Sequence, residues 1–170
     1  MPPSKQNAST TWARTFAKQA LSDLDAREQL AIAGALKCHR LHFLQMAAEK
    51  ACKAHLAANG GHDQVKKSHA CVGNVLPTLA RQFVTRENAG IQLPGSLLSE
   101  IKRLAHEIEV LAQACDDGGA REDNTEYPWQ DARGNLCIPC EYKFQNLDDN
   151  NRSLVYLVKL IRKAAKAYAK

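Results

Sequence analysis

No stretch of the 170 residues approaches the ~20 consecutive apolar side chains that a bilayer-crossing helix needs, so no membrane span is expected. The chain also lacks a Glu-x-x-His pair, which argues against a di-iron carboxylate bundle, and it has no Gly-rich phosphate loop. Its first residues, Met1-Pro2-Pro3-Ser4-Lys5-Gln6-Asn7, have no apolar segment behind the lysine, so nothing there resembles a secretory signal and a cytoplasmic location is expected. Cys137-Ile138-Pro139-Cys140 is the single C-x-x-C. Without a second such turn or a βαβ pattern, neither a zinc site nor a thioredoxin-like redox pair is supported, and packing of the loop is the plainer reading. Most of the six cysteines fall one per predicted helix among apolar neighbours, as small buried hydrophobes do in a reducing compartment. No metal and no cofactor is implied.

What is present is ordinary globular composition, with 45% hydrophobic and 24% charged residues, enough for one core in one domain. Residues 1–8 read as a flexible N-terminal tail and 9–170 as a single helical domain. Ser9-Thr10-Thr11 offers hydroxyls to cap a first helix that carries Trp12, Phe16, Ala20 and Leu24 at helical spacing and runs to about Ala33-Gly34. A second helix covers roughly Leu36 to Ala58, stopped by Asn59-Gly60-Gly61, and its many alanines let a neighbour approach closely. Ser68 could cap a third helix carrying Val72, Val75, Leu76, Leu79 and Phe83, with a kink or restart expected at Pro77. In the fourth, Leu97, Ile101, Leu104, Ile108, Leu111 and Cys115 form one stripe that Asp116-Asp117-Gly118-Gly119 ends. Residues 120–146 show no strand-like alternation, and their Tyr127, Trp129, Ile138, Tyr142 and Phe144 predict a long loop ordered by its own packing. The last helix, about Asp148 to Ala169, sets Leu154, Val158, Ile161, Ala165 and Tyr168 on one face. The fold class expected is all-α, an up-and-down bundle of four to five helices.

The net charge of +5 is concentrated near the C-terminus. Arg152, Lys159, Lys163, Lys166 and Lys170 share one side of the last helix and could track a phosphate backbone. Cations near a helix C-terminus are also favoured by its dipole, which is the blander account. Elsewhere, Arg40 with His39 and His42 could hold phosphate or a metal, or be a polar helix face. His69 could be a base, or fix the start of the third helix beside Ser68. Glu49, Lys50 and Lys53 can form ordinary helix-surface pairs worth tenths of a kcal/mol.

The second helix carries Gln45, Ala47, Ala48, Glu49, Lys50 and Lys53 in a Gln-x-Ala-Ala-Glu-Lys-x-x-Lys run. Lys67-Ser68-His69 and Glu126-Tyr127-Pro128 follow it in order. Together these elements resemble the HEPN family (higher eukaryotes and prokaryotes nucleotide-binding), where a Lys-Thr-His or Lys-Ser-His opens the next helix and an Arg-Tyr-Pro follows the fourth. Here Glu126 stands where Arg is common. The resemblance covers most of the chain and implies a helical bundle, often a homodimer, in prokaryotic toxin-antitoxin or antiviral modules, with a small nucleotidyltransferase as a frequent partner. It also implies a metal-independent ribonuclease in those members that carry Arg and His four to six residues apart. No such pair occurs in this chain. The expected role is therefore non-catalytic binding of nucleotide, RNA or a partner protein, with Glu49, Lys50, Lys53, His69, Lys159, Lys163 and Lys166 as candidate ligand contacts. Two alternatives stay open: a ribonuclease assembled differently from Arg40, His42, His69 or Arg103, and a structural subunit of a larger complex.

Overall fold

Alanine sets the closest approach in this bundle. In the computed structural model, which describes residues 5–60, 71–88, 90, 92–112 and 124–170, helix α1 (Lys5–Ile32) lies along helix α2 (Lys37–Ala58). The buried stripe of α1 is Ala13, Ala17, Ala20 and Leu24, and it faces a helix whose Ala47, Ala48, Ala51, Ala54 and Ala57 are all fully buried. Side chains this small leave room only for backbone between the two axes. Trp12 therefore cannot enter the seam where the spacing of the sequence placed it. It is 37% exposed and stacks on Phe16 at the edge, with ring centroids 5.6 Å apart. The helix also starts earlier than the Ser9 cap predicted. Ser9 lies inside α1, and its hydroxyl donates instead to the Ala57 carbonyl, tying the first turns of α1 to the end of α2.

The α1–α2 turn closes as a Schellman motif. Ala35 N–H reaches the Leu30 carbonyl (2.9 Å), Gly34 N–H reaches that of Ala31 (3.1 Å), and Gly34 takes the left-handed φ of 70° that the motif requires. α2 ends at Asn59-Gly60, as its sequence predicts.

Helix α3 (Val72–Glu87) is continuous through Pro77, with no restart there. The ring is buried, and its missing N–H removes only the bond that would reach back to Gly73, close to the start of the helix. That start is held from outside: Glu109, the last residue of helix α4 (Gly95–Glu109), accepts a hydrogen bond from Gly73 N–H at 3.1 Å. A Cβ at Gly73 would lie 2.8 Å from the Glu109 carboxylate, so glycine is what lets the acid reach the helix terminus. Ser68 and His69 lie outside the described residues, as does Cys115; α4 itself ends at Glu109, short of the Asp116 stop predicted for it.

Residues 124–151 are ordered by packing and by a feature the sequence reading did not contain. Trp129–Gln130 (β1) and Leu136–Cys137 (β2) form an antiparallel hairpin, two residues a strand. Its turn is organised by Asp131, whose carboxylate accepts from Arg133 N–H (2.9 Å) and Asn135 N–H (2.8 Å), and by Gly134 at φ 82°. Trp129, Tyr142 and Phe144 then stack edge to face in a row, with centroids 5.0 and 5.1 Å apart. Helix α5 (Arg152–Tyr168) follows, capped by Asn151, whose side chain accepts from Ser153 N–H and Leu154 N–H. Its buried face is broad, from Leu154 and Leu157 through Leu160 and Ile161 to Ala164 and Ala165, because α5 contacts all four other helices. The protein is an all-α bundle of five helices with one small hairpin among the described residues.

Candidate phosphate-binding site

The polar residues Gln45, Glu49 and Lys53 of α2 are buried, not the surface pairs expected there. Gln45, Glu49 and Lys53 succeed one another a turn apart and are 2%, 9% and 9% exposed. Lys53 Nζ sits 2.7 Å from Glu49 Oε1, Gln45 Nε2 donates to Glu49 Oε2 at 3.2 Å, and the Lys53 ammonium lies 6.0 Å from the Phe16 ring centre. Lys50 pairs with the buried Asp23 of α1 at 3.0 Å, and Asp23 also accepts from Gln19. α2 packs against α1, α3, α4 and α5, and between Leu44 and Ala57 none of its residues is exposed. Glu49, Lys50 and Lys53 therefore serve the interior first. Beside them Cys52 and Cys71 form a buried thiol pair between α2 and the start of α3: burial pushes the Cys52 thiol up, while the hydrogen bond from Cys52 draws that of Cys71 down.

Exposed charge is carried by α5. Five of its residues are cationic and none is acidic. Arg162 is tied to α1 through Asp25 and Glu28 (3.1 Å to the latter). Lys159, Lys163 and Lys166 are exposed and have no carboxylate partner among the described residues. Two clefts open beside Lys159. One, of about 330 Å³, lies between α1, α2 and α5 and is lined by Arg27, Arg40, Lys159 and Arg162, by the carboxylates Glu28 and Asp149, and by apolar side chains of α1 and α5. The other, of about 180 Å³, lies between α3 and α5 and is lined by Phe83, Glu87, Tyr156, Lys159 and Lys163 among others. The arrangement offers a linear series of cations with a concave charged recess beside it, which suits phosphate groups.

Of the other arginines and histidines singled out in the sequence, His69 lies outside the described residues, and Arg40, His42 and Arg103 are held by separate partners. Arg40 binds Asp149, His42 Nδ1 lies 3.4 Å from Glu126, and Arg103 is held on α4 by Glu100 at 2.8 Å. The hydrogen bond from Arg103 keeps the Glu100 carboxyl below its ordinary range. No group of three or more His, Cys, Asp or Glu side chains suited to a metal occurs among the described residues. In the C-x-x-C turn Pro139 is the buried member, whereas Cys140 is exposed and Cys137 half-buried, so the thiols are not what packs there.

One cluster had no signal in the sequence. His55, near the end of α2, is buried, and its Nδ1 lies 2.8 Å from the Tyr168 hydroxyl at the end of α5. With Asn59, Gln82 and Arg86 they line a polar recess of about 250 Å³. Burial, and secondarily the Arg86 charge, hold the imidazole below its usual 6.5. A histidine that is harder to protonate in the folded than in the unfolded chain contributes stability that is complete above pH 6.5 and lost as pH falls through its folded value. Urea unfolding of the native protein is expected to show that acid loss, and His55→Gln to flatten it. An equally steep pH profile in the variant would place the proton elsewhere.

These residues define the class: an all-helical bundle whose last helix presents unpaired cations beside a charged cleft. No family model matches the chain, and comparison with curated proteins and with solved structures gave no match.

Proposed function

We propose that this protein is a HEPN-like bundle that binds RNA or nucleotides through the phosphates, non-catalytically, using the exposed face of α5. The observation that carries the reading is the set Lys159, Lys163 and Lys166, three exposed cations that form no ion pair among the described residues, on a helix that has no acidic residue. The setting, a cytoplasmic toxin-antitoxin or antiviral module, a homodimer and a nucleotidyltransferase partner, is carried over from the resemblance in α2. A second reading, a metal-independent ribonuclease, is favoured by one juxtaposition: His55, kept neutral, shares a recess with Arg86 and the Tyr168 hydroxyl. There an imidazole could exchange a proton while a guanidinium holds phosphate.

Binding of a single-stranded oligoribonucleotide, followed by fluorescence anisotropy between 50 and 200 mM salt, tests both. Each phosphate contact contributes a slope of about 0.7 in log affinity against log salt, so Lys159→Glu/Lys163→Glu/Lys166→Glu is expected to weaken binding at least ~100-fold and to flatten the slope by about two. The three side chains are exposed, so the fold is spared. Equal affinity and slope in the variant would end the α5 reading. Shortening of the RNA during the titration, abolished by His55→Gln, would move the assignment to the ribonuclease.

A further inference from the structure

Arg27 of α1 and Arg40 of α2 lie on consecutive helices, and both guanidiniums close on one carboxylate from much further along the chain, that of Asp149 in the turn before α5. Each arginine gives Asp149 a terminal nitrogen. The Nε of each is buried and has no hydrogen-bond partner. Two buried donors left unmatched at one point are unusual, because water or a protein acceptor normally satisfies such groups. Asp149 brings one negative charge and two oxygens to a place where two forks converge. A phosphomonoester dianion brings up to twice the charge and three oxygens, which two guanidiniums can share in bidentate fashion.

The surroundings favour a group that enters end-on. The cleft has an apolar wall that includes Val158, while Arg162 is neutralised by Asp25 and Glu28. Lys159 is the one cation of the lining with no protein partner among the described residues, and it joins the cleft to the exposed stripe of α5. An internal phosphodiester, with chain leaving on both sides and a single charge, meets the stripe more readily than the recess. Asp149 is well placed to yield: its side chain is 31% exposed, and the turn around it is held by Asp148, which accepts from Asn150 N–H and Asn151 N–H.

We propose that the Arg27–Arg40 cleft receives a terminal phosphate, a phosphomonoester dianion, and that Asp149 occupies its place when no ligand is bound. The proposal rests on the phosphate-binding reading of α5 and adds the end of the ligand to it. The test compares two oligoribonucleotides labelled at the 3′ end, identical except for a 5′-phosphate or a 5′-hydroxyl.

The phosphorylated one is expected to bind the native protein about tenfold more tightly, as one well-placed added charge allows. Asp149→Asn should widen that advantage by removing the competitor, and Arg40→Gln should erase it, so that the two oligonucleotides bind alike. Damage to the fold would weaken binding, so a gain in Asp149→Asn cannot be mistaken for it, and that variant decides if Arg40→Gln fails to fold. Competition by AMP sorts the source: displacement assigns the cleft to nucleotides as well as RNA ends, and its absence beside a retained 5′-phosphate advantage assigns it to RNA ends. Equal binding of the two oligonucleotides overturns the terminal-phosphate site and leaves the α5 reading standing, whereas binding of neither overturns both.

Discussion

Lys53→Met is expected to destabilise the bundle by about 3–5 kcal/mol, and the double variant Glu49→Leu/Lys53→Met to recover part of that loss, since the buried Gln45 amide then lacks its Glu49 acceptor. The reasoning follows from burial. Glu49 and Lys53 form their 2.7 Å pair inside the bundle, where neither charge can be rehydrated without opening the packing around α2. Removing the ammonium alone leaves a carboxylate in a medium that solvates it poorly. Removing both charges leaves apolar side chains of similar length in an apolar place, which buried pairs commonly tolerate well. Had the pair been on the surface, the same substitution would cost about 0.3–0.5 kcal/mol and the double variant would recover nothing measurable. Urea denaturation of the three proteins separates the cases. A loss under about 1 kcal/mol for Lys53→Met would mean that water reaches the pair and that α2 is not enclosed as described.

That helix also shows where sequence reasoning stops. In α4 and α5 the apolar residues recur on one side, so stripe, burial and helix type were legible, and Ile101, Leu104, Ile108, Leu154 and Ile161 are buried as their spacing predicts. In α2 polar and apolar residues occur all round. On such a helix periodicity marks no exposed face, and Glu49 and Lys53, expected to form surface pairs, are buried beside Gln45. The Ala-rich composition was the better guide, since small side chains are of use only where something comes close.

The partners of the candidate site were illegible for a different reason. His55 and Tyr168 lie 113 positions apart, and Asp149 lies 122 from Arg27 and 109 from Arg40, so no local pattern could join them. The basic face of α5 needs only helical periodicity, and it was visible from the start. The hairpin at 129–137 fell between these cases. Its Asp-Ala-Arg-Gly-Asn turn carries a recognisable glycine, but strands of two residues are too short for alternation to register.

Ala20→Leu should cost about 1–3 kcal/mol or more, whereas Trp12→Ala should cost about 1 kcal/mol or less, an order opposite to the one side-chain size suggests. Ala20 has no exposed surface and sits in the seam where the stripe of α1 meets the alanines of α2. Three extra carbons there must find room between two helices whose meeting faces are mostly alanine. Trp12 lies at the rim with more than a third of its surface in solvent, and the contacts it gives up include the stack on Phe16. Thermal or urea unfolding of the two variants measures the order directly. The converse ranking would mean that α1 and α2 are held apart by Trp12, with slack at Ala20. The close alanine seam would then be wrong, and with it the enclosure that keeps Glu49 and Lys53 from water.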